Sequence, residues 1–171
     1  MALLGKYLSF LWKSTSEHGV HSPFVYNLVT QCFYNSQKIP YKNYPKGISE
    51  KKGQFILRLL AYFNPKSIKI YSEQEDFPIF FPKPLTDNTP NGKKDMLFIH
   101  HISDFPSPEE LTDQMHNDSV LVWVSPHSPE NEPTVKKLTE NKTFSVIIDT
   151  FSFALFFIRK EQSREVFFIR T

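Results

Sequence analysis

Histidines, one cysteine and a few clustered carboxylates are the side chains here whose types and spacing could do chemistry. His18 and His21 precede a helical pattern, while His100, His101 and His127 fall where apolar runs end. Imidazoles suggest a transition-metal site, but such a site needs three or four ligands converging from one side. His100 and His101 are adjacent in an extended run and so point to opposite faces of a strand, and no Asp, Glu or Cys is spaced to complete a set; no metal is expected. His18 and His21 read as polar caps or pocket-lining groups. Cys32 lies on an apolar helical stripe with no basic neighbour at helical spacing, so it reads as a small buried apolar residue and not a nucleophile. Asp149, between Ile148 and Thr150 in an apolar run, must face solvent or find partners, which favours an outward or hydrogen-bonded position over a catalytic one. Glu73, Glu75 and Asp76 follow a strand and could reach a ribose, yet as a polar cluster they read as a solvated turn.

The elements that must position these groups follow from periodicity. Leu3, Leu4, Tyr7, Leu8, Leu11 and Trp12 recur at helical spacing, forming an amphipathic face that needs a partner surface. Ser22 as N-cap and Pro23 as first helical residue open a second helix, striped by Phe24, Val25, Leu28, Val29, Cys32 and Phe33. Ser49 caps a third, with Phe55, Ile56, Leu59, Leu60 and Phe63 on its face and Asn64-Pro65 as its stop. Ile68 and Ile70 then alternate with Lys69 and Tyr71 as a half-buried strand. From Ser72 to Lys94 the prolines Pro78, Pro82, Pro84 and Pro90 forbid an internal helix and leave only "IFF" (79–81) as a short strand.

Further on, "DMLFIHH" reads as a buried strand, and "SPEELTDQMHN" as a short helix with a capping box from Ser107 to Glu110. "SVLVWVS" suits a strand covered on both faces, and "SPENEPTVKKLTENK" a helix capped at Ser128 with Pro129 first. Three strand-like runs in the tail predict an antiparallel ribbon. This order predicts one three-layer α/β domain over 1–171, with N-terminal helices in 1–64 and a mixed sheet core in 65–171.

Bulk properties narrow the function classes. A chain of 171 residues with 40% hydrophobic content supports a single core. Its net charge is +2, and the pairs Lys51-Lys52, Lys93-Lys94 and Lys136-Lys137 are scattered, which argues against a nucleic-acid face. The longest apolar run, Phe153 to Ile158, is far below the roughly 20 residues of a membrane span. Lys6 and Lys13 interrupt the N-terminal apolar face and no small-residue cleavage site follows. With a single cysteine, no intramolecular disulfide can form. A cytoplasmic protein without membrane or nucleic-acid partners is expected.

Three stretches together resemble the class I S-adenosylmethionine-dependent methyltransferases, in particular a small bacterial O-methyltransferase-like group. They are "EHGVHSPFVYNLVTQCFY", "KKDMLFIHH", and the run from "NDSVLVWVSPHSPENE" through "SVIIDTFSFALFFIRKEQSREVFFIR". The resemblance implies a Rossmann-like sheet of seven strands with the methyl donor across their carboxyl ends. It also implies a glycine-rich loop after the first strand, Asp-Gly where this chain has His100-His101, and paired carboxylates where it has Trp123-Val124.

Each of those features is missing. No glycine occurs between Gly53 and Gly92, and the proline-broken segment is too short for the family's second and third strands, which need about 30 residues per strand-helix-strand unit. The resemblance therefore implies a reduced sheet lacking those two strands. Its first strand becomes an open edge, to be covered by "DFPIFFPKP" folding back or by a second copy in a homodimer. The expected function is a degenerate methyltransferase-like protein with no catalytic residues and no cofactor, binding an unknown small molecule or protein. Two alternatives stand beside it: a small-molecule methyltransferase that binds S-adenosylmethionine in an altered or subunit-shared site, and a structural oligomerising protein. The residues expected to line the surviving cleft are His18, His21, Ser72, Glu73, His100, His101, Ser125 and His127.

Overall fold

The computed structural model describes residues 3–81 and 92–171. Helix α1 (Leu3–Lys13) is followed by α2 (Pro23–Leu28), which runs on through a π-turn to Phe33, and by α3 (Glu50–Phe63). The Ser22 and Ser49 hydroxyls accept the Val25 and Lys52 N–H groups, so each supplies a partner that the first helical turn lacks. Asn64 ends α3 in the left-handed conformation at φ 43°, directly before Pro65.

Strands β1 (Ile68–Tyr71), β2 (Lys94–Ile99) and β3 (Met115–Val124) are parallel neighbours, with α4 (Pro108–Asp113) between β2 and β3. The capping box at α4 is complete in both directions: Ser107 Oγ accepts the Glu110 N–H, and Glu110 accepts the Ser107 N–H. After α5 (Glu132–Glu140) come β4 (Val146–Asp149), β5 (Phe153–Phe157) and β6 (Glu165–Phe168). The six-stranded mixed sheet has the order β1-β2-β3-β5-β4-β6.

Three expectations need correction. The tail is not an antiparallel ribbon throughout: β5 is antiparallel to β3 and β4, but β6 pairs parallel with β4. Both edges of β5 are already taken, so the chain reaches the free edge of β4, where running opposite to β5 means running with β4. "IFF" is not a strand: Pro78–Phe80 form a 3-10 turn that lets Phe77, Phe80 and Phe81 pack on His100, Tyr41 and Phe98. Nor does Ser128 cap α5. Asn131 occupies that position, the backbone from Ser128 to Asn131 turns on itself, and Pro133 is tolerated in the first helical turn, where its missing N–H costs nothing.

The sheet is covered on both faces. Phe55, Ile56 and Leu59 of α3 and Val25 and Leu28 of α2 pack with Met96, Phe98, Val120, Val122 and Leu155. Leu111 of α4 and Leu138 of α5 pack with Leu97, Ile99, Leu121 and Trp123 on the opposite face. Cys32 is buried in the first layer, and burial pushes its thiol up to about 12. The α1 face finds less cover than its pattern demands: Tyr7 and Phe10 pack on Phe151, while Leu4, Leu8 and Trp12 stay exposed.

Strand β1 is the sheet edge, and among the described residues no strand pairs with its outer side. The segment after it turns over the sheet face instead of along the edge. Phe77 stacks on His100 at 4.2 Å, Phe81 packs on Phe98 at 4.7 Å, and Phe80 meets Tyr41 at 4.7 Å. Pro82, Pro84 and Pro90 lie outside the described residues. Among the described residues no helix is long and apolar enough to cross a membrane.

Candidate functional site

A cleft of about 1170 Å³ opens at the carboxyl ends of β1, β2 and β3. Its walls are the turns that leave those three strands, together with Lys46 and Gly47 from the loop before α3. An open parallel sheet places its ligand sites there, because backbone groups and side chains from several strand ends converge on that rim.

The turn after β1 supplies Glu73, Gln74, Glu75 and Asp76. Glu73 and Glu75 are exposed, as in the solvated turn that the sequence suggests, and the turn is bonded to its neighbours as well. Glu73 Oε1 accepts the Ser103 N–H at 2.9 Å and also the Ser103 hydroxyl. Asp76 Oδ2 accepts the Lys46 N–H at 2.8 Å, and Gln74 Nε2 donates to the Lys46 carbonyl at 2.6 Å. These bonds hold both carboxyls below their ordinary range. They tie the β1 turn to its two neighbouring loops. Among the described residues, the second oxygen of Asp76 is buried without a partner, as is the Ser128 hydroxyl on the β3 side of the cleft.

At the end of β2, His100 is buried beneath the Phe77 ring, with Nδ1 3.4 Å from the Ser72 hydroxyl. Burial first, then the charges of His101 and Lys52, lowers its pKa to about 4, so it is a neutral imidazole. His101 is exposed and held at φ 45°. At the end of β3, Ser125 is held at φ 56°, another left-handed conformation uncommon for residues other than glycine. Its N–H donates to the Ser152 carbonyl, and its carbonyl accepts from Asn131 Nδ2. Behind it, Lys52 Nζ donates to Ser125 Oγ at 2.7 Å. Lys52 is half-buried, and burial lowers its pKa.

Of the residues expected at the cleft, Glu73, His100, His101 and Ser125 line it, and Ser72 supports it through His100 and the Gln74 N–H. The other three lie elsewhere. His127 turns away, with Nε2 2.7 Å from Asp149 Oδ2 and its ring stacked on Phe151 at 4.8 Å, so it fastens the β4 end to the underside of α1. Asp149 thereby finds its partner, and its other oxygen accepts the Phe151 N–H. His18 projects into solvent beside Glu17, and His21 is exposed; the helix cap between them and α2 is Ser22. Sequence reasoning missed Lys46, Lys52, Ser103, Ser128 and Asn131. Ser128 and Asn131 carried a local signal, as helix-capping residue types ahead of Pro129 and Pro133.

Among the described residues no group of three or more His, Cys, Asp or Glu side chains converges to hold a metal ion. The rim offers hydroxyls, the neutral His100 imidazole, the Lys46 side chain, and carboxylates of which Glu73 and Asp76 are engaged with neighbouring loops, with Lys52 behind Ser125. Compared with family models, curated proteins and solved structures, the chain matches none.

Proposed function

We propose that this chain is a reduced methyltransferase-like domain that has lost its methyl-donor site, and that its rim cleft binds a small polar ligand other than S-adenosylmethionine. The turn after β1 carries the reading. A donor cradle needs backbone that approaches the cofactor closely, which glycine permits; here the turn contains none, and two of its three carboxylates, Glu73 and Asp76, are bonded to Ser103 and Lys46. Phe77, fully buried, covers His100 at the end of β2. The strand arrangement supports the same reading: three parallel strands, the antiparallel β5 inserted before β4 and β6, and an open edge at β1 where two further strands would attach.

Amide chemical-shift mapping tests it. Polar metabolite-sized compounds should shift the Glu73, His101, Ser103 and Asn131 amides in a saturable way, and S-adenosylhomocysteine should shift none of them. Saturable shifts from S-adenosylhomocysteine at these amides would overturn the reading.

The open edge of β1 supports a second reading of the partner, a second copy of the chain adding its own β1 there.

A further inference from the structure

The contact between Ser125 and Lys52 joins a serine of the rim to a half-buried lysine behind it. Ser125 lines the cleft; Lys52 does not, and reaches Ser125 Oγ from behind at 2.7 Å. The serine stands at the junction of a strand, a tight turn and a helix, in a left-handed conformation that costs about 1 kcal/mol or more for a residue with a side chain. Three hydrogen bonds keep it there: its N–H to Ser152, its carbonyl from Asn131, and its carbonyl from the Ser128 N–H. The hydroxyl is thus presented at a sharp corner of the backbone, facing open space on one side and an amine on the other.

Lys52 is equally specific. A half-buried ammonium is normally offset by a carboxylate, but burial alone accounts for the direction in which its pKa moves. The nearby His100 is kept neutral and does not compete for a proton near neutral pH. A lysine in such a setting reaches its free-amine form more readily than one in water. In the ammonium form Nζ donates to Oγ; as the free amine, at the same distance, its lone pair accepts the hydroxyl proton. Three residues along, Ser128 lines the same cleft, with its hydroxyl buried and, among the described residues, without a partner.

We infer that Ser125 is a nucleophile and Lys52 its general base, and that the ligand of the cleft is a small carboxylic ester which the pair hydrolyses. The inference rests on the reading of the cleft as a small-molecule site. In the first step the Ser125 Oγ–H proton passes to the Lys52 amine as Oγ bonds to the ester carbonyl carbon. The bond from that carbon to the alkoxy oxygen then breaks, and the departing alkoxide takes the proton from the Lys52 ammonium and leaves as the alcohol. In the second step water attacks the acyl-serine, its proton passes through Lys52 to Ser125 Oγ, and the carboxylic acid leaves.

An alkyl phosphonofluoridate probes this directly, since attack by Oγ on phosphorus expels fluoride and leaves a stable adduct. At mildly alkaline pH, intact mass and peptide mapping of the wild-type chain should show one adduct, on Ser125, absent from S125A. In K52M and K52R the labelling rate should fall about 100-fold or more. The arginine variant separates the roles, because a guanidinium keeps the charge and the donor but does not give up its proton. Circular dichroism establishes that the variants are folded. Absence of a Ser125 adduct on the wild-type chain, or K52R reacting at the wild-type rate, would overturn the inference. If metabolite-induced shifts persist at the rim amides without an adduct, the hydrolytic step falls and the binding reading stands.

Discussion

His100 shows how a residue type that suggests catalysis is turned to structural use. Covered by Phe77 and buried, it is neutral in the folded chain down to about pH 4, whereas an unfolded histidine takes up a proton near 6.5. Between those values the unfolded chain binds more protons than the folded one, so stability rises with pH across the window and is lost on acidification. The urea midpoint of the wild-type chain should fall steadily between pH 6.5 and 4, and H100F, which keeps an aromatic surface against Phe77, should flatten that part of the profile. An unchanged profile in H100F would mean that other groups carry the acid sensitivity. Cys32 gives a second expectation at this scale. With its thiol buried and pushed up to about 12, it should resist iodoacetamide in the folded chain and react at once in denaturant; rapid native alkylation would contradict its placement in the core.

The segment after β1 is the element that most distinguishes this sheet. Its 3-10 turn has little hydrogen bonding of its own and is held by three buried rings, those of Phe77, Phe80 and Phe81. F77A removes a fully buried ring from above His100 and should cost about 3–5 kcal/mol in urea unfolding; a loss below about 1 kcal/mol would show that the turn is not held by that ring. The sequence conveys elements best where the deciding interaction is local. Ser22, Ser49 and the Ser107–Glu110 box were legible because a cap and its N–H partner lie three residues apart. The start of α5, the shape of 78–80 and the direction of β6 were not, since each depends on what the chain packs against or on which sheet edge is free. The cleft divides in the same way. Glu73, His100, His101 and Ser125 sit at strand ends that the pattern marks, whereas Lys46 and Lys52 arrive through contacts 30 and 73 residues away along the chain.

Among the described residues, the exposed apolar side chains of α1 and the outer edge of β1 are surfaces without partners. The edge is the more specific of the two, because a strand presents backbone donors and acceptors in fixed register. The Ser67 and Tyr71 carbonyls face β2, so by strand alternation the backbone groups of Ile70 point outward. Pairing through this edge gives concentration-dependent sedimentation in the wild-type chain and a monomer in I70P. A wild-type monomer at every concentration would remove the second-copy reading without touching the cleft. The proposed loss of a methyl-donor site bears on everything else, and isothermal titration of the purified chain with S-adenosylmethionine tests it most directly. No heat beyond dilution is expected; a saturable isotherm of one donor per chain would contradict the proposed loss.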